Sequence, residues 1–187
     1  RKRKNKPYEP ILVPGERIQV DVKHVPRECL VGEAAGKKFY QYTAIDECTR
    51  WRLVRIYPAQ TTYYSKEFVK ELQEAFPWDI QCIQADNGSE FTSVLQGSDH
   101  PSAFEAYLEE EGIRHKRIAV ATPRHNGKVK RSHRSDQERF YEQNRFYSLD
   151  YLNQEVKRYN RWSNNLPLAA HGWNSANHKL QDFQWLL

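Results

Sequence analysis

At 187 residues, with 28% charged and 13% aromatic side chains, the chain has the composition of a folded domain rather than of a disordered segment. No apolar run approaches the roughly 20 residues of a membrane-spanning helix, and no apolar stretch follows the basic first residues as a secretory signal would require. A net charge of +5 suits a polyanionic partner, and three cysteines without CxxC spacing argue against a disulfide framework and for a reducing, cytoplasmic setting. Methionine is absent and residue 1 is arginine, so a fragment lacking its natural start is expected.

Residues 1–14 read as a basic, proline-punctuated arm with no hydrophobic period. Arg17 to Val22 alternates polar and apolar residues, the period of a strand, and Asp21 shares its face with Arg17 and Gln19. A core role for that face is not expected. Lys38–Thr43 and Arg52–Tyr57 predict two more strands in a meander with the first, turning at Asp46-Glu47-Cys48-Thr49-Arg50. Thr61–Phe76 has the apolar spacing of an amphipathic helix stopped by Pro77. The apolar run Ile80–Ile83 then climbs to Asp86, where Asn87-Gly88 forms a tight turn. Pro101–Glu111 predicts a second helix ended by Gly112, and Ile113–Ile118 a fifth strand. A turn through Thr122–Gly127 leads into a long polar helix from about Lys128 to Gln143. Ser148–Trp162 is a last helix with Ser148 as its N-cap, and 164–187 reads as a C-terminal tail.

This order predicts an α/β domain, a mixed five-stranded sheet with helices on both faces. If the first and fourth strands lie side by side, Asp21 and Asp86 meet at their ends. A carboxylate held by a strand end beside a tight turn suits a metal ligand or an acid/base group. Asp46 reads instead as a turn aspartate bonded to backbone amides. His24 and Cys29 lack the second pair that a zinc site needs. His125 and Asn126 precede the positive end of the long helix, where phosphate binds well. Lys128, Arg131 and Arg134 are candidate DNA contacts on the same helix. Lys130, Arg134, Gln137 and Tyr141 share one stripe, expected to be a solvated face.

The Asp21 strand, the stretch Asp86-Asn87-Gly88-Ser89-Glu90-Phe91-Thr92, Tyr57-Pro58-Ala59-Gln60-Thr61 and Pro123-Arg124-His125-Asn126-Gly127 together carry a resemblance. Over roughly residues 15–175 the chain resembles the catalytic core of retroviral integrases and of bacterial insertion-sequence transposases, DDE-type enzymes with a ribonuclease-H-like fold. The resemblance implies a catalytic core at 15–163, metal-dependent DNA strand cleavage and strand transfer, double-stranded DNA (element ends and target) as partner, a homo-oligomer and a bacterial, nucleoid-associated setting. It places Asp21 and Asp86 as metal ligands, the first two acidic residues of a site for two Mg²⁺ (or Mn²⁺) ions. The third acid, a glutamate, should stand where this chain has Lys130.

That departure removes one ligand and adds a cation. Two unit charges 4 Å apart interact by roughly 4 kcal/mol at an effective dielectric of 20. The ammonium is expected between Asp21 and Asp86 as an ion pair, leaving at most one weakly held metal and a poor catalyst. Asp136 and Glu138 lie about 9–12 Å farther along the helix, too far to replace the missing ligand. Glu90, just past the turn, is expected to be solvated or a cap. Two other readings stay open: a non-catalytic DNA-binding or assembly module of the same fold, and a hydrolytic ribonuclease-H-like nuclease.

Overall fold

The computed structural model describes residues 10–93, 97, 100–118 and 126–184. Strand β1 (Ile18–His24) pairs antiparallel with β2 (Tyr40–Asp46), which pairs antiparallel with β3 (Arg52–Tyr57). β2 runs past the expected Thr43 because Ala44, Ile45 and Asp46 go on pairing with Val20, Gln19 and Ile18. After helix α1 (Thr62–Ala75), β4 (Cys82–Ala85) joins β1 in parallel; after α2 (Ala103–Glu110), β5 (Arg114–Arg117) joins β4 in parallel. The strand order is β3-β2-β1-β4-β5, the mixed five-stranded sheet that the sequence predicts.

Local chemistry sets the helix starts. Thr61 accepts from the Tyr64 amide, and Ser102 and Glu105 form a reciprocal capping box at α2. Ser148 opens α4 (Leu149–Asn164) as expected, its hydroxyl accepting from Tyr151 N at 3.1 Å. On one sheet face, Ile18, Val20, Tyr42, Ile83 and Ala85 pack against Phe68, Val69 and Leu72 of α1 and Phe104 and Leu108 of α2. On the other, α4 lays Leu152, Val156 and Tyr159 over Val54 and Ile56. Each such side chain contributes about 1.5–3 kcal/mol when fully buried.

On the same face α3 (Gly127–Asp136), whose only apolar side chain is Val129, lies over β1 and β2. It covers the polar face of β1, so Gln19 and Asp21 are buried, against the expectation drawn from their alternation. At Gln137–Tyr141 the helix widens into a π turn. The extra residue in that turn rotates the helix phase. Tyr141 therefore leaves the expected solvated stripe and is buried, its hydroxyl donating to Gln41 Oε1 at 2.6 Å. The segment read as a tail also folds. α5 (Ala176–Gln181) starts at a Ser175 cap and places Leu180 in the first core.

β3 is an outer strand, and α4 closes its free edge with asparagine amides. Asn153, Asn160 and Asn164, at i, i+7 and i+11, each accept from the N–H and donate to the C=O of one β3 residue: Ile56, Val54 and Arg52 respectively. Both Asn160 bonds are 2.9 Å. Each amide thus replaces a missing strand partner on an edge that would otherwise be open to pairing. Asn160→Ala strands two buried backbone groups and should cost about 3 kcal/mol in urea unfolding. A loss below about 1 kcal/mol would show that water satisfies this edge equally well.

Candidate active site

The β1–β4 register sets Ile18 opposite Ile83 and Gln19 opposite Gln84; continued along the strands, it brings Asp21 opposite Asp86. Asp86 directly follows β4, and its Oδ1 accepts from Gly88 N at 3.0 Å. Asn87 Nδ2 donates to the Ile118 carbonyl at 2.8 Å, tying the turn to the end of β5. A Cβ at position 88 would meet the Glu90 carboxylate, so a side chain there would displace Glu90. Glu90 itself is neither solvated nor a cap. It is buried, accepts from Gln60 Nε2 at 2.7 Å, and its pKa is raised, first by burial and further by the nearby charge of Asp86.

Burial and, after it, the Asp86 charge push the Asp21 carboxyl up to about 7; Lys130 acts in the opposite sense. Two carboxylates facing each other in a half-dry site lack a positive partner of their own. Lys130 does not supply one by contact. Its side chain is exposed, and among the described residues no ion pair within 4.0 Å joins it to Asp21 or Asp86. The expected ion pair is therefore not formed: the long stem keeps the ammonium in water, where its hydration is retained.

The sequence reading missed His133. Its Nδ1 lies 3.6 Å from Asp21 Oδ2, and its Nε2 lies 3.2 Å from Thr43 Oγ1. Burial, and then the Lys23 charge, lower its pKa to about 4, so the ring packs beside Asp21 uncharged at neutral pH. The signal was present: His133 stands three residues after Lys130, on the helix side that turns toward β1.

The Asp21 shift has a definite sign. From an ordinary value of 3.8, the folded state raises the pKa to about 7, so it binds the proton more tightly than the unfolded chain. Asp21 therefore costs stability as pH climbs through that window, up to about 4 kcal/mol at its upper end. Asp21→Asn should raise the urea midpoint at pH 8 and change it little at pH 3.5. An equal gain at both pH values would mean that charge burial is not its origin.

α3 is fixed over Asp21 by β1 rather than by a cap of its own. Gln19 Oε1 accepts from Lys128 N at 3.1 Å and Val129 N at 3.3 Å, and Asn126 Nδ2 donates to the Val20 carbonyl at 3.0 Å. Asn126 is thus a buried anchor and not the phosphate contact its place in the chain suggested. Lys128 is bound as well, its ammonium 2.8 Å from Glu47 Oε2. Burial alone would raise the Glu47 pKa, but hydrogen bonds from Arg17, Lys128 and Gln19 hold it down to about 2. Arg131 and Arg134 are exposed, Arg134 pairing with Glu138 at 2.8 Å. His125 lies outside the described residues. Asp46 is a turn aspartate, accepting from Gly15 N and from the amide and hydroxyl of Thr49.

An integrase core domain model matches residues 13–123, which include Asp21 and Asp86, and a second integrase core domain model matches 111–166, which include Lys130. The chain belongs to the integrase core domain family. It is 32% identical over 127 residues to a putative integrase, ORF3, of Spiroplasma virus SpV1-C74, covering 63% of this chain and 34% of the relative. It is 29% identical over 105 residues to the retrovirus-related Pol polyprotein from transposon TNT 1-94 of Nicotiana tabacum, covering 55% of this chain and 7% of that one. The chain therefore spans about a third of the length of the first of these relatives and far less of the second. Its fold matches a chain of the simian T-cell lymphotropic virus intasome, solved in complex with PP2A regulatory subunit B56 gamma. The TM-score is 0.65 at 15% identity, covering 90% of this chain and 55% of that chain. The fold is ribonuclease-H-like.

Integrase cores generally use divalent metal ions. Asp21 and Asp86 offer hard oxygen donors whose mutual repulsion a cation would relieve, which fits one such ion. The set for two ions is incomplete. Among the described residues no three His, Cys, Asp or Glu side chains group as a metal site.

Proposed function

We propose that this integrase core derives from a transposase that cuts and joins double-stranded DNA in the manner of DDE enzymes, and that Lys130 has reduced its chemistry to a low level. The observation that carries this reading is the Asp21–Asp86 pair. Two strands of one sheet hold these carboxylates in electrostatic contact, and α3 buries the first of them. When bound there, a divalent ion would activate the attacking oxygen and neutralise charge developing at phosphorus.

The protein's own part is positioning. Asp21 and Asp86 supply fixed negative charge, the Asn87-Gly88 turn orients Asp86, and His133 packs against Asp21 from α3. Lys130, at the mouth of the site, adds a positive charge suited to a phosphate oxygen, so DNA binding outlasts cleavage. Exposed Arg131 and Arg134 add further phosphate contacts.

The test is to mix the chain with a short duplex and Mg²⁺ or Mn²⁺. Binding is expected to weaken steeply, by tenfold or more, between 50 and 200 mM salt, in roughly the manner of several released counterions. The duplex should stay essentially uncut. Salt-independent binding, or rapid cutting without joining, would overturn the reading, the latter in favour of a hydrolytic nuclease.

A further inference from the structure

We propose that the chain carries a second anion site, built for a phosphate group, on the flank of α3 that faces away from Asp21 and Asp86. A cleft of about 590 Å³ opens there between α3, the start of β3, the C-terminal half of α4 and the 166–170 segment. Its walls carry five cations, Arg50, Arg52, Lys128, Arg131 and Arg139, and no acidic side chain. Lys128, Arg131 and Ser135 line it from α3, and Arg139 from the π turn that follows. Lys130 projects from the other flank.

Three observations separate this cleft from an ordinary solvated face. The first is Arg52. Its side chain lines the cleft but is only 9% exposed; Nη2 pairs with Asp136, and Nε is buried without an acceptor. An unanswered cationic N–H inside a protein costs free energy, and it marks a place where an acceptor belongs. The second is Arg131 and Arg139. Among the described residues neither is in an ion pair, so like charges face one cleft without compensation. The third is Arg50, whose φ of 63° is a conformation that glycine would take at lower cost. Its Nη1 donates to the Glu47 carbonyl at 2.6 Å, which holds the guanidinium at the cleft.

Guanidinium forks match the oxygens of a phosphate, and the Ser132 and Ser135 hydroxyls in the same wall are further donors. The cleft is in the size range of small-molecule sites, larger than a lone phosphate needs. The phosphate could belong to a free ester or to a nucleic-acid backbone. The site is independent of the chemistry proposed at Asp21 and Asp86, and it stands if that chemistry is absent.

The experiment titrates the whole chain with inorganic phosphate against chloride at matched ionic strength, following the thermal midpoint. A saturable rise is expected. Arg139→Gln removes one exposed cation of the cleft and should weaken phosphate binding about tenfold. Ser135→Asp, which places a carboxylate in the cleft, should do the same, while Arg158→Gln, a matched loss of one charge on exposed α4 surface, should not. A labelled duplex separates the sources. If Arg139→Gln also loses duplex affinity beyond Arg158→Gln, the phosphate is that of a nucleic-acid backbone. If duplex binding is unchanged while phosphate binding falls, it is a free ester. The site is refuted if phosphate stabilises no better than chloride, or if Arg158→Gln loses as much as Arg139→Gln.

Discussion

On the proposed reading, Lys130→Glu should turn a chain of low activity into a divalent-dependent nuclease and strand transferase on short duplexes. The rate should rise at least about hundredfold, equivalent to about 2.7 kcal/mol in the barrier. Lys130 follows buried Val129 at the start of α3 and is near enough to Asp21 to act on its pKa. A carboxylate there would join a pair that already repels itself. In the absence of metal the variant should therefore be less stable, and the Asp21 carboxyl should move further up. With Mg²⁺ the order reverses: the thermal midpoint of Lys130→Glu should rise with ion concentration, and that of the parent chain far less. The two readouts are independent. Midpoint gain without nicking would place the defect in DNA engagement. Equal activity in parent and variant would mean that the third ligand lies elsewhere, and Glu90→Gln would be the next substitution. Adding Asp21→Asn to Lys130→Glu should return activity to background.

The sheet was legible because its signals are local. Alternation in Arg17–Val22, the exact span Arg52–Tyr57 and the cap at Ser148 each arise within a few neighbouring residues. The approach of Asp21 to Asp86 followed from topology, since a parallel pairing of β1 and β4 aligns their ends. The polar layer between α3 and the sheet was not legible. A helix with one apolar residue reads as solvated, and nothing in its own sequence shows that Gln19, Gln41 and Thr43 wait beneath it. Buried polar groups are satisfied by partners distant in the chain, so the bonds of Gln19 to Lys128 and of Asn126 to Val20 have no local signature. Tyr141 was misplaced for a related reason: a π turn breaks the period on which a helical stripe depends. Asn153 and Asn160 carry no signal of their own within the helix, and Asn164 fell in the segment read as a tail, because the edge they close belongs to another element.

That polar layer centres on Asp136, and Asp136→Ala should be the most destabilising single change in the domain. Its carboxylate accepts from Arg52 Nη2 at 2.5 Å, Gln41 Nε2 at 2.7 Å and the Tyr159 hydroxyl at 3.0 Å, and the residue is 1% exposed. It thereby joins α3 to β2, β3 and α4 at one point. Removing one partner of a buried ion pair costs about 3–5 kcal/mol, because the other charge remains in a dry site. Here the Gln41 amide and the Tyr159 hydroxyl would each lose an acceptor as well. The urea midpoint should fall accordingly, and the chain should be partly unfolded at 37 °C. Arg52→Met with Asp136→Leu, which removes both charges and fills the space, should recover most of that loss, as expected when an ion pair is replaced by apolar packing. Recovery would identify Asp136 as a structural charge, distinct from the acids at Asp21 and Asp86. If Asp136→Ala instead lost less than about 1 kcal/mol, water must reach Arg52 and the layer is not dry. The contrast with Asp21 is the informative part. One buried carboxylate is answered by three donors and holds the fold; the other is left raised and uncompensated, and its removal is expected to stabilise the domain.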